Sequence, residues 1–246
     1  MPIKTPPIIE IKGLTKRYGD ATVLDSLDLD IQQGEIFGFL GHNGAGKTTT
    51  VNILTTLLAP TAGHAMVAGF DVEKDPMEVR RRIGYLPENV SFYNDLTAYE
   101  NLAYFARLSG VAQPDQKITE TLHFLDFEGI EHKKLGEFSK GMRQRIGIAQ
   151  AILHEPEVLF LDEPTAGLDP MGVKILRETI LRLNKEKGLT IFMNTHLLAE
   201  VSKTCTTIGV LNHGKLIYKD SLEHTLKRFK DESSLEEIYF TIERSE

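Results

Sequence analysis

In its first thirty positions the chain alternates apolar and polar residues, and then the pattern changes. Residues 8–12 (IIEIK) and 23–31 (VLDSLDLDI) put every second side chain on one face, as half-exposed strands do. Residues 35–41 (EIFGFLG) form a short apolar run, which predicts a strand buried on both faces. That run opens into a glycine-rich loop, and 47–58 (KTTTVNILTTLL) then predicts a helix. Residues 63–69 (GHAMVAG) predict another short strand, set off by glycines.

From Pro76 to about Leu153 the apolar spacing becomes helical. DPMEVRRRI, TAYENLAYFARLSG and PDQKITETLHFLDF all carry it, and the stretch predicts a mostly helical lobe. Residues 157–164 (EVLFLDEP) return to a buried strand with acids at its end. Residues 170–188 predict an amphipathic helix closed by a glycine, and 190–196 (TIFMNTH) one more strand. Residues 208–220 predict a hairpin turning at Asn212-His213-Gly214. The charged last 26 residues predict a short helix and an extended end. There is no internal repeat and no low-complexity tract. Strands alternating with helices imply an α/β fold with a mainly parallel sheet, whose ligands bind at the carboxyl ends of the strands. The glycine loop, Asp162 and His196 all fall at such ends.

Composition narrows the picture without deciding it. The 246 residues are 41% hydrophobic and 26% charged, an ordinary globular balance. A net charge of -7 gives no global attraction to nucleic acid or to an anionic lipid surface, so no nucleic-acid partner is expected. The one cysteine, Cys205, cannot form an internal disulfide, and a reducing, intracellular setting is expected. The N-terminal MPIKTPPIIE lacks the long apolar run of a signal peptide, and no window approaches the ~20 apolar residues that span a bilayer. A role at a membrane would need another chain as anchor.

The strongest chemical signal is GHNGAGKT (41–48), which fits G-x-x-x-x-G-K-[ST] between a strand and a helix. Gly41, Gly44 and Gly46 let the backbone turn its N–H groups around phosphate oxygens, and the helix that follows presents its positive end. Lys47 neutralises the outer phosphates, and Thr48 can place its hydroxyl on Mg²⁺. The complement is the acidic strand end VLFLDE (158–163). Asp162 can hold the metal, and Glu163 can polarise water against a γ-phosphate. His196 can bond the γ-phosphate or the attacking water; the other seven histidines are given no catalytic role. A second anion site opens FSKGMRQR (138–145). Ser139 is an N-cap candidate at the positive end of a helix, and Gly141 permits close approach. DFEG (126–129) fits the D-x-x-G of a GTPase switch, but it lies in a helical pattern and no guanine motif follows.

With these motifs in this order, the chain resembles the nucleotide-binding subunit of ATP-binding cassette (ABC) transporters over essentially its full length. GHNGAGKT is similar to the Walker A loop, VLFLDE to Walker B, FSKGMRQR to the ABC signature, AGLD (166–169) to the D-loop and NTH to the switch-histidine motif. The resemblance implies a P-loop NTPase core with a mainly parallel sheet, an N-terminal antiparallel β subdomain and a helical lobe. The expected layout is one ATPase domain over 1–230, with the lobe at about 88–155 inserted in the core, and a short C-terminal extension over 231–246.

The resemblance also implies an ATP site made of Tyr18, as adenine-stacking aromatic, with Gly41, Asn43, Gly44, Ala45, Gly46, Lys47, Thr48 and Thr49. Glu163, His196 and Lys47 would be catalytic. Thr48, Asp162 and Glu88 would hold Mg²⁺. In this family two cassettes pair head to tail around two ATP molecules, so Ser139, Gly141 and Asp169 would act in trans on the partner's nucleotide. The partner would be a second copy of this chain or a related cassette.

Two positions depart from the family pattern. Its usual signature reads Leu-Ser-Gly-Gly-Gln, where this chain has Phe138-Ser139-Lys140-Gly141-Met142. Glu88, in YLPEN (85–89), stands where the family generally has glutamine; it is expected to ligate Mg²⁺, the alternative being a solvated acid. The implied activity is ATP hydrolysis that drives a separate membrane permease from the cytoplasmic face of the cell membrane. The compact cassette, YLPEN and SLEEIYF (234–240) resemble cassettes of the export-type ABC-2 class. The alternative is a non-transport ABC ATPase in translation or DNA repair. The lobe would dock the permease, and of Phe92, Tyr93, Tyr99, Tyr104 and Phe105 most are expected to pack its own core.

Overall fold

The alternating N-terminal segments pair with each other. In the computed structural model, which describes residues 6–230, 232 and 234–244, Ile9–Tyr18 (β1) and Ala21–Ile31 (β2) are antiparallel, with Ile9 opposite Ile31 and Leu14 opposite Leu27. The apolar run Ile36–Leu40 (β3) starts a second sheet, and the glycine loop leads from it into Lys47–Leu54 (α1). Ala62–Val67 (β4) and Phe70–Asp71 (β5) return to the first sheet, whose order is β2-β1-β4-β5.

The lobe region follows. Pro76–Arg82 (α2) precedes a strand, Ile83–Leu86 (β6), and then come Ala98–Leu108 (α3), Pro114–Phe124 (α4) and Lys140–Ile152 (α5). The remaining elements are Val158–Asp162 (β7), Pro170–Lys187 (α6), Thr190–Asn194 (β8), Leu198–Thr204 (α7), Thr207–Asn212 (β9), Lys215–Ser221 (β10), Leu222–Arg228 (α8) and Leu235–Arg244 (α9). The second sheet runs β10-β9-β3-β8-β7-β6, parallel except at the β10 edge. The expected α/β class, with a mainly parallel sheet and an N-terminal antiparallel unit, is the architecture observed.

Strand periodicity divides the core in two. Phe37, Phe39, Phe160 and Phe192 leave one face of the parallel sheet, with Phe192 5.3 to 5.5 Å from the other three ring centroids. They meet the antiparallel sheet and α1 through Ile9, Leu14, Val51 and Leu54. Ile36, Leu159, Leu161, Ile191 and Met193 leave the other face, beneath Ile146 and Ala149 of α5 and Leu176 and Ile180 of α6. Burying one such side chain contributes about 1.5–3 kcal/mol, so a rigid floor lies beneath the strand ends that carry the loops.

Four elements differ from the sequence reading. The 76–153 stretch contains β6, which pairs in parallel with β7. Four residues are too short for a period to register. Gly84 lets α5 press on this strand, since a β-carbon there would lie 2.3 Å from the Ala151 carbonyl oxygen. α1 ends at Leu54 rather than 58, because Thr56 turns the chain at φ 63°. β8 ends at Asn194, so His196 sits in the turn before α7 rather than on the strand. The C-terminal segment is not extended: α9 buries Leu235, Ile238, Tyr239 and Ile242 against the main core.

Of the five lobe aromatics, Phe92 and Tyr99 pack against the core and Phe105 is half-buried. Tyr93 and Tyr104 stand exposed as an edge-to-face pair with centroids 5.5 Å apart.

Candidate functional site

The glycine loop is tied down from both ends. The Gly214 N–H donates to the Ala45 carbonyl oxygen at 3.0 Å, and the Ala45 N–H to that of His42 at 3.1 Å. Lys47 is buried, and its Nζ donates to the carbonyl oxygens of Gly41 at 2.7 Å and His42 at 3.2 Å. Burial pushes this ammonium below the usual lysine range, against the raising effect of Glu163 and Asp162. A desolvated cation facing carboxylates is primed for an anion that replaces water.

Gly46 carries the turn into α1. Its φ is 109°, and a β-carbon there would come within 2.7 Å of Leu24 Cδ2 and 2.9 Å of the Val23 carbonyl oxygen. Strained backbone and overlap act together, so Gly46→Ala is expected to lower the unfolding free energy by about 2 kcal/mol or more. Urea denaturation checks this; an unchanged midpoint would show that the loop yields.

Opposite the loop stand the acids. One cavity of ≈ 220 Å³ is lined by Asn43, Gly44, Gly46, Lys47, Thr48 and Thr49 on one side, and by Glu88, Asp162, Glu163 and Asn194 on the other. Asp162 ends β7 and is 6% exposed. Burial raises its carboxyl above the ordinary range, the charges of Glu163 and Glu88 add to this, and the Asn194 hydrogen bond and Lys47 oppose it. Glu163 is bent into the left-handed region at φ 46°. Its Oε1 lies 2.8 Å from His196 Nδ1, and its Oε2 accepts from the Thr195 hydroxyl at 3.3 Å. A carboxylate only accepts, so His196 carries its proton on Nδ1 in this contact.

Magnesium fits this donor set. Thr48, Asp162 and Glu88 bring oxygen atoms to one cavity, and a divalent cation there would offset the burial of the Asp162 carboxylate and its repulsion by Glu163 and Glu88. Among the described residues no three His, Cys, Asp or Glu side chains form a metal cage of their own.

Not every expected residue joins the cavity. Tyr18 stands at the end of β1, 50% exposed, with Lys16 Nζ 5.1 Å from its ring centroid. Gly41 and Ala45 are buried and do not line it, and His196 meets the cavity through Glu163. Asn194, which the sequence reading passed over, lines the cavity and donates from Nδ2 to Asp162 Oδ1 at 2.5 Å. Its only sequence signal is a polar residue ending a buried strand beside the acidic one.

Ser139, Gly141 and Asp169 line a different cavity of ≈ 390 Å³, which shares no residue with the first. Ser139 caps α5, its hydroxyl oxygen accepting from the Met142 N–H at 3.3 Å. Asp169 caps α6, accepting from the Gly172 N–H at 2.7 Å. Lys140 stretches its ammonium over Gly167 in the loop before α6. Two helix N-termini, a hydroxyl and a lysine meet here, donors suited to an anion.

The family model described as "ABC transporter" matches residues 24–166. Over 221 residues the chain is 43% identical to the bacitracin transport ATP-binding protein BcrA of Bacillus licheniformis, covering 90% of this chain and 72% of that one. It is 38% identical to the probable multidrug ABC transporter ATP-binding protein YbhF of Escherichia coli, covering 85% of this chain and 36% of that one. A solved ATP-binding subunit of an ABC transporter superposes with a TM-score of 0.83 at 31% identity, covering 96% of this chain and 99% of that one. A dimeric bacterial ABC transporter cassette superposes with a TM-score of 0.77 at 27% identity, covering 87% of this chain and 98% of that one.

Proposed function

The chain belongs to the ABC transporter family, and we propose that it works as the ATP-hydrolysing half of an efflux machine, driving a separate membrane permease by closing on a second cassette when ATP binds. It is an ATPase subunit of a transporter; the relatives named above are transporter subunits, not translation or repair ATPases. Among the described residues no helix is long and apolar enough to cross a membrane. In this reading the permease is a partner chain and the cassette works at its cytoplasmic side, as the family resemblance implies. Efflux is favoured by the drug-related names of the relatives, bacitracin transport and multidrug, and by the ABC-2 features of the sequence.

One observation carries the mechanism: the glycine loop with its acids and the capped helix of FSKGMRQR lie in two cavities of one chain with no shared residue. Each is half of a site. A two-fold pair completes both halves, the loop of one subunit facing the Ser139 helix of the other. Within each completed site Lys47 and the loop amides hold the phosphates, while Thr48, Asp162 and Glu88 would hold Mg²⁺. The metal, when bound, supplies charge neutralisation on the phosphate oxygens. Glu163, aimed by His196 and Thr195, takes the proton of the attacking water. Asp169, fixed as the cap of α6, links the two sites across the interface. Tyr18 lies outside the cavity walls, and its adenine-stacking role rests on the family resemblance alone.

Glu88 gives the cheapest test of the metal assignment. Glu88→Ala is expected to raise the Mg²⁺ concentration for half-maximal ATPase activity about tenfold. A magnesium titration of phosphate release checks it. Unchanged Mg²⁺ dependence with unchanged rate means Glu88 is a solvated acid.

A further inference from the structure

One buried group in the first cavity has no explanation in the scheme above. Asn194 is 1% exposed at the end of β8. Its Nδ2 donates to Asp162 Oδ1 at 2.5 Å, and its backbone carbonyl oxygen accepts from the Glu163 N–H at 2.9 Å. Its side-chain oxygen has no hydrogen-bond partner among the described residues. The orientation of the amide is not free. Asp162 is an acceptor, so the nitrogen must face it and the oxygen must face away. Unmatched buried acceptors are rare and call for an explanation.

We infer that Asn194 is a positioning residue for the divalent metal of the nucleotide, holding Asp162 through its amide nitrogen and offering its amide oxygen to the metal's hydration shell. This rests on the magnesium-nucleotide reading of the cavity. Asn194 touches neither the attacking water nor the phosphate and acts through Asp162 and the waters of the ion. Magnesium keeps several of its waters, and those waters are donors; a lone buried oxygen beside a metal-holding carboxylate is matched to them. No apolar residue at this position can do either task, although the neighbouring strand residues Phe192 and Met193 are apolar and buried.

The test uses Mn²⁺ as probe, followed by its electron paramagnetic resonance signal. The whole protein, in excess over a non-hydrolysable ATP analogue, is titrated with Mn²⁺, so that the nucleotide presenting the metal is protein-bound. Asn194→Leu is nearly isosteric and fits the apolar strand. It is expected to weaken Mn²⁺ binding about 10-fold to 100-fold, with nucleotide affinity in EDTA unchanged. Asn194→Ser gives the same reading should the leucine variant fold poorly. Parent-like Mn²⁺ affinity in either folded variant overturns the inference and leaves the site reading intact. If the parent itself binds Mn²⁺ no more tightly than free nucleotide does, the magnesium reading of the cavity fails, and the inference falls with it.

Discussion

Glu163→Gln is expected to hydrolyse ATP about a thousandfold more slowly than the parent, within the range by which a positioned general base accelerates proton transfer. The structure isolates the chemistry from the fold in this substitution. Glutamine keeps the length of the side chain and an oxygen at its end. That oxygen can still accept from His196 Nδ1 or the Thr195 hydroxyl, the two partners that aim the carboxylate. The left-handed backbone at φ 46° is set by the chain on either side, with the Glu163 N–H bonded to Asn194, and it stays. Only the negative charge and the basic lone pair go. Lys47, Thr48 and the loop amides are untouched, so ATP affinity is expected to match the parent. Steady-state phosphate release and equilibrium nucleotide binding, measured on the same preparation, separate the two. Normal turnover sinks the base assignment. Lost binding instead of lost turnover would mean that Glu163 holds the nucleotide site together rather than activating water.

The parts of this site that could be read from the chain were those in which one stretch carries both the pattern and the chemistry. GHNGAGKT needs its glycines, lysine and threonine at fixed offsets, and the apolar run before it marks the strand. VLFLDE is a buried strand with acids at its end, and Ser139 ahead of a helical pattern is a cap. Elements defined by what they pack against were not legible. β6 is four residues long and is a strand because β7 lies beside it. α9 is charged enough to look like a tail, yet its buried stripe of Leu235, Ile238, Tyr239 and Ile242 needs the rest of the core to be visible as one. Asn194 was missed for the same reason. Its meaning comes from Asp162, 32 positions earlier, and only the register of β7 against β8 places the two side by side. Tyr18 shows the opposite case. The family resemblance alone places it in the ATP set, and the fold leaves it exposed at the end of β1, beside and not within the cavity of the phosphate loop.

Because hydrolysis is slowed in Glu163→Gln, that background holds ATP long enough to test the composite site. The parent Glu163→Gln protein is expected to double its mass by light scattering when ATP is added. Adding Gly141→Asp should leave it monomeric with ATP still bound, weakening the dimer about a hundredfold or more, as like charges brought together across an interface do. Gly141 is suited to this test because its own subunit has room. A β-carbon there would meet only Gly172 Cα at 3.8 Å and Leu168 Cδ2 at 3.9 Å, ordinary contact distances. An aspartate in the first turn of α5 also complements that helix's dipole, so the isolated chain loses no stability. The cost therefore arises only when the partner's triphosphate arrives at the Ser139 end. A dimer that forms undiminished would show that this helix does not face the partner's nucleotide. A Glu163→Gln protein that stays monomeric even with Gly141 intact and ATP bound would place the missing half elsewhere, on a different cassette or on the permease that holds two cassettes together.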